Sequence, residues 1–500
     1  MYFGDSVAET DDLLEAAKIE TSTFDELIRD NVDLIPGTKG SGKSALFRIV
    51  TEFLPGVLFE HNRVVIAHGV QRHGDSVFHA FRDQFDKFDE NQFVEFWCIY
   101  LISLAHEHFI KGKRYSDSLS SAKKEIKDFK EACFRARVPE IDKPKSLAEV
   151  LEWVIQVVKS NAPKLSYEMP DNTGTFALDL FGNPAGSNPD SSNKKDNKKI
   201  TDGLPFYANE IKEKLEAILT KTNLSVWLMI DRLDEIFPRR SDLERKALRG
   251  LLRATRTFQS KRIRVKIFLR DDMLENLVSG EGFTALSHVT SRQADRLEWT
   301  TDQILALIIR RIFVNQKLKE FFDVDEEKLK KSKDYRVELF NKLFPPQVHG
   351  GPNQSSTINW IVSRLSDGRG VVTPRDVIDL LSKAKQHHCD DITSNSDGHT
   401  AHFFDSASII YGLEEVSKKK RDTYLKAEFP HIWKYIEKFE GGKTGYTEAA
   451  LKKIIGSNHQ EVTKDLMAIG FMAKKKKGGA YIYWIPYLYR KALDLSQGNE

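Results

Sequence analysis

Cysteine is scarce in this sequence: Cys98, Cys133 and Cys389 are the only three, and no two of them form a CxxC pair. That excludes a disulfide framework and the common zinc and dithiol motifs, and it fits a reducing compartment. Long apolar runs are lacking as well. The longest nearly apolar stretch, Phe96 to Ala105, is about half of the ~20 residues that a bilayer-spanning helix needs, and the opening MYFGDSVAETDDLL has neither the basic nor the apolar region of a signal peptide. The expectation is a cytoplasmic protein without membrane association. Charge of one sign is also missing, because 76 Lys and Arg against 73 Asp and Glu leave only +3. No field of that size dictates a polyanionic partner for the whole molecule, so any nucleic-acid contact has to be local. No GxSxG elbow occurs, which argues against a Ser-His-Asp hydrolase.

What is present is a globular composition, 40% hydrophobic and 30% charged, over 500 residues. A domain takes about 100–200 residues, so several units are expected. Short continuous apolar runs at Val32 to Ile35, Val64 to Ala67, Leu224 to Ile230 and Val265 to Leu269 read as strands of a parallel sheet. Such strands are covered on both faces, and amphipathic stretches such as Leu243 to Phe258 supply the covers, which makes the class α/β. A helical insertion at about 76–165 separates the second and third runs. Within it Phe93, Phe96, Trp97 and Tyr100 recur at helical spacing and read as a buried face. Residues of about 170–203, containing NPAGSNPDSSNKKDNKK, read as a flexible loop. From 301 the texture is helical, with i, i+3, i+4 apolar spacing in Thr301 to Val314, Ser356 to Ser366 and Pro374 to His387. The expected domains are therefore a sheet-containing domain at 1–300, an all-α lid at 301–412 and a last unit at 413–500.

Gly37-Thr38-Lys39-Gly40-Ser41-Gly42-Lys43-Ser44 matches GxxxxGK[ST] in full, with a strand-like run before it and a helix-like run after it. Those residue types suit a nucleotide's phosphates. Gly37, Gly40 and Gly42 let the backbone curl without Cβ clashes, Lys43 can reach the β- and γ-phosphates, and the Ser44 hydroxyl can bind Mg²⁺. The run Val226 to Ile230 ends in Asp231, a carboxylate that would hold Mg²⁺ through water, while Asp234 or Glu235 could orient an attacking water. The next run ends in Arg270-Asp271-Asp272. Arg270 there either senses the γ-phosphate from the carboxyl edge of the sheet or pairs with a neighbouring acid.

GTKGSGKSA, LMIDRLDE, FLRDD and VVTPRDVIDLL resemble, in that order, the Walker A, Walker B, sensor 1 and sensor 2 elements of AAA+ and STAND-type P-loop ATPases, a group that includes origin-recognition ATPases. The opening FGDSVAETDD followed by GTKGSGKSAL is similar to a bacterial P-loop ATPase family built as an ATPase with a C-terminal winged helix. The resemblance spans roughly residues 3 to 490. It implies ATP and Mg²⁺ as ligands, Lys43 and Ser44 on phosphate and metal, Asp231 on the metal, Arg270 as sensor 1 and Arg375 as sensor 2. It also implies a nucleotide-controlled switch in signalling or antiphage defence, or else a DNA-binding ATPase that loads a partner. Arg232 departs from the pattern, since an acid often follows the metal aspartate, and the catalytic base stays open between Asp234 and Glu235. A homo-oligomer would draw an arginine from a neighbour, with Arg253 and Arg256 as candidates against Arg239, Arg240 and Arg249.

In the last unit, Phe429 to Phe439, Thr447 to Ile455 and Gln460 to Ile469 read as helices. Phe471 to Ala473 and Ala480 to Ile485 read as a hairpin with Lys474 to Lys477 at a basic tip, a winged-helix pattern. From Glu414 to Glu500, 17 Lys and Arg face 11 Asp and Glu, a local excess of six. DNA or a protein is therefore the expected partner of this end. His387, His388, Cys389, Asp390, Asp391, His399 and His402 collect near one another, in a spacing that matches no zinc template.

Overall fold

The computed structural model describes residues 2–69, 88–110, 113–135, 165–168, 175–178, 204–235, 241–278, 290–394, 402–477 and 479–499. The chain divides into two compact units: Glu26–Gly37 with Phe47–Asp295, and Met1–Asp25 with Thr38–Leu46 and Arg296–Glu500. We call them the sheet unit and the helical unit. The lid and the last unit expected from the sequence share one body, and position 413 falls inside helix Ser406–Lys420.

Four strands make the central sheet of the sheet unit: β1 (Leu34–Gly37), β2 (Val64–His68), β5 (Ser225–Ile230) and β6 (Ile263–Arg270), all parallel in the order β1-β6-β5-β2. Their apolar continuity follows from burial on both faces, and Val65, Val226, Leu228 and Ile263 are fully inaccessible. The outer side of β1 is met by a parallel bridge at Gln293, where Ala294 N–H donates to the Leu34 carbonyl at 2.9 Å. The Lys266 ammonium is fully buried on β6. It donates to Asp33 at 2.9 Å and to the Val32 carbonyl at 2.7 Å, and it lies 4.6 Å from the Trp227 ring centroid, which offsets its desolvation.

Helix Glu90–Ala105 opens with a capping box between Asp89 and Gln92 and runs into a π turn, His106–Ile110. Phe93, Phe96, Trp97 and Tyr100 are all buried, and the Trp97 indole donates to the Ala247 carbonyl at 2.8 Å on the facing helix Asp242–Phe258. Glu90–Ile110 is thus longer than the apolar run suggested. By length and composition it could cross a membrane, but 72% of its apolar window is buried inside the protein, as in a core helix. Helix Lys123–Arg135 also belongs to the insertion, whereas 136–164 lies outside the described residues. Of the stretch read as a flexible loop, Thr175–Leu178 is strand β4, antiparallel to β3 (Leu165–Glu168); residues 170–174 and 179–203 lie outside the described residues.

In the helical unit, helix Thr301–Ile312 starts from a capping box between Thr300 and Gln303. It packs with helices Lys333–Leu343, Thr357–Leu365 and Pro374–Ser394, and Ser406–Lys420 lies along the last of these. The N-terminal segment is strapped to this bundle by buried Arg311, which donates to the Phe3 carbonyl at 2.6 Å and pairs with Asp11. A second four-stranded sheet, order β10-β7-β9-β8, holds β7 (Lys443–Tyr446), β8 (Ala473–Lys477), β9 (Ala480–Trp484) and β10 (Ser496–Asn499), with helices Pro430–Ile436, Glu448–Ile455 and His459–Ala468. The lysines expected at a hairpin tip are instead the edge strand β8 itself. Its pairing with β9 runs from Ala473 with Trp484 to Lys477 with Ala480.

Candidate phosphate-binding site

β1 delivers the chain into the glycine loop at the carboxyl edge of the sheet, where Gly37 stands in register with Arg270 of β6. Gly40 has φ +84° and Gly42 φ +100°, left-handed conformations that a side chain rarely tolerates, so these two glycines are required by the turn. The loop is closed on itself: Ser41 N–H donates to the Thr38 carbonyl at 3.2 Å, and the buried Lys43 ammonium donates to the same oxygen at 2.8 Å. Lys43 and Ser44 begin helix Lys43–Arg48. The Thr38 and Ser41 hydroxyls are buried without a hydrogen-bond partner among the described residues. A buried orphan hydroxyl is costly, and acceptor oxygens of a phosphate would satisfy both. The loop's residue types, its positive-φ glycines and these orphans therefore fit a phosphate group.

The loop's neighbours within its own unit come from distant stretches of sequence. The Trp299 indole donates to the Ser41 carbonyl at 2.7 Å, and a Cβ placed on Gly42 would touch that ring at 3.6 Å. On Gly40 a Cβ would come within 3.2 Å of Arg375 Cβ and 3.3 Å of Thr373 Oγ1. Arg375 thus flanks the loop through its β-carbon, and its Nε donates to the Ser6 carbonyl at 3.2 Å. Lys39 forms an ion pair with Glu428, whose side chain is almost wholly buried.

On the sheet unit, Asp231 follows β5 and is buried. Arg232 then takes φ +59°, an unusual conformation for arginine, and turns the chain into the short 3₁₀ helix Leu233–Glu235. Arg270 and Asp234 are brought together: Nη1 lies 3.2 Å from Asp234 Oδ2, while Nε and Nη2 clasp Asp272 at 2.9 and 2.8 Å. The buried Arg270 therefore meets acids on two sides. The Glu235 side chain lies outside the described residues. Arg253 pairs with Glu90 at 2.9 Å, Arg249 donates to the Leu277 carbonyl at 3.0 Å and Arg256 is exposed; Arg239 and Arg240 lie outside the described residues.

Sequence reasoning passed over one pair. His68 ends β2, in register with Met229 of β5, and its ring lies 4.9 Å from that of His108, centroid to centroid. Burial pushes the His108 imidazole down to about 4, helped by repulsion from His68, and burial likewise lowers His68. The available signal was a histidine closing an apolar strand run. Among the described residues no group of His, Cys, Asp and Glu is arranged to hold a metal. In the polar cluster, His388 is paired to Asp405 and His387 lies 3.1 Å from the Ser408 hydroxyl. No protein-family model matches the chain, and no curated protein matches it.

Proposed function

We propose that the protein is an ATP-binding P-loop switch whose phosphate loop reports nucleotide occupancy to the helical unit. The observation that carries this reading is the company the loop keeps: Trp299, Thr373, Arg375 and Glu428 all belong to the body that also holds helices Pro430–Ile436, Glu448–Ile455 and His459–Ala468 and β7–β10. A loop that grips phosphate through Lys43 and Ser44 cannot shift without moving these contacts, which is the differential interaction a two-state switch needs. Lys43 is assigned to the β- and γ-phosphates and Ser44 to Mg²⁺. Asp231 is assigned to the metal, and Arg375 to the sensor 2 role, on the sequence motifs. When bound, ATP and Mg²⁺ supply the negative charge and the bridging cation that these side chains answer.

Turnover is expected to be slow, because Arg270 engages Asp234, one of the two candidate bases. The lid and winged-helix identities of the helical unit, and an oligomer formed on ATP, belong to the same reading. Its test is Lys43→Ala: Mg-ATP binding by calorimetry should disappear, and unchanged affinity in that variant would refute the assignment. A second reading, an ATPase that acts on DNA, is favoured by β8. There Lys474, Lys475 and Lys476 are exposed, and Lys474 and Lys475 lie over the Tyr481 and Trp484 rings at 4.1 Å.

A further inference from the structure

We infer that Trp299 is a positioning residue of the phosphate loop, one that holds the Ser41–Gly42 peptide in the orientation a phosphate needs. The inference rests on the nucleotide-binding reading of the loop and deepens it. A trans peptide points its C=O and its N–H in opposite directions, and no cis bond occurs among the described residues. With the Ser41 carbonyl held by the indole N–H at 2.7 Å, the Gly42 N–H is aimed away from Trp299. No described residue accepts that N–H. It is a donor kept free, as a cradle for phosphate oxygens requires.

Glycine makes the restraint necessary. At φ +100°, Gly42 has no side chain to resist rotation of the preceding peptide, and a flipped peptide would present a carbonyl oxygen to an anion. Trp299 resists the flip by its hydrogen bond, and its ring, with Leu297 beside it, bounds the space next to Gly42, where an added Cβ would meet them at 3.6 and 3.9 Å. The tryptophan itself stands on a fixed base. Thr300, the next residue, caps helix Thr301–Ile312, donating its N–H to Gln303 Oε1 at 2.9 Å and accepting from Gln303 N–H at 3.3 Å. The pre-set loop thus costs little ordering when phosphate arrives.

The experiment is calorimetric titration of Mg-ADP into the full-length wild type, Trp299→Phe and Trp360→Phe. Trp360 is a more deeply buried tryptophan of the same unit, on helix Thr357–Leu365, so its replacement is the harsher test of general destabilisation. Losing one neutral hydrogen bond to the loop should weaken Mg-ADP about three- to tenfold in Trp299→Phe. Trp360→Phe should bind within twofold of the wild type even if it melts earlier, which separates loop positioning from general destabilisation. Trp299→Tyr, also without an indole N–H, takes the place of Trp299→Phe if the latter does not fold. Equal affinity in wild type and Trp299→Phe overturns the inference while leaving the nucleotide reading intact, as does an equal loss in Trp360→Phe. A wild type that binds no Mg-ADP overturns the nucleotide reading, and the inference with it.

Discussion

Deleting Lys39 should destabilise the protein more than deleting its partner Glu428, although each change removes the same ion pair. The asymmetry follows from exposure: the Lys39 side chain is 38% exposed and that of Glu428 only 3%. In Glu428→Gln the ammonium left behind reaches water, so the cost is that of a solvent-screened pair, about 1 kcal/mol or less. In Lys39→Met the carboxylate left behind has little water to turn to. Breaking a fully buried pair costs about 3–5 kcal/mol, and about 2 kcal/mol is reasonable here, since Lys39 is itself partly solvated and Glu428 keeps other contacts. The double variant should return close to Glu428→Gln, because the stranded charge has gone. Urea denaturation of the three variants measures all of this as shifts in midpoint at constant slope. Equal midpoints for Lys39→Met and Glu428→Gln would refute the reasoning, and so would a double variant as unstable as Lys39→Met.

The histidine pair predicts a pH dependence on the acid side. His108 stays neutral in the folded state down to about 4, whereas the unfolded chain takes up a proton near 6.5, so stability should fall as pH drops from 6.5 to 4. The loss reaches about 3 kcal/mol at most, and His108→Leu should flatten the profile in thermal melts across that window. For the DNA reading, Lys474→Ala, Lys475→Ala and Lys476→Ala combined should lower the salt slope of an electrophoretic shift by about 0.9 per lysine that meets a phosphate. An unchanged slope would remove β8 from any DNA contact.

The four central strands were legible because burial on both faces writes itself as unbroken apolar runs, and the structure moves their bounds by only a few residues, as in Val32 to Ile35 against Leu34–Gly37. The glycine loop was legible because its backbone conformation restricts residue type. The residues around the loop carry no such mark. Trp299 and Glu428 look like an isolated aromatic and one acid among many, and only tertiary packing brings them to Ser41 and Lys39.

The four lysines after Phe471-Met472-Ala473 misled in a more instructive way. A run of like charges disfavours pairing on a buried strand, and a Gly-Gly pair follows, so a basic hairpin tip was the natural expectation. β8 escapes the penalty because it is the edge of its sheet, where charged side chains on solvated faces also deter unwanted strand pairing. Its neighbour β9 answers with rings: Tyr481 and Tyr483 under Lys474, Trp484 under Lys475. The exposed Lys474 and Lys475 thus hold their ammonium groups over aromatic faces, so this basic charge is fixed along a ribbon. A surface of that kind can engage a polyanion without an ordering cost, whereas a mobile tip would pay one, so the DNA reading predicts contacts along β8 and β9.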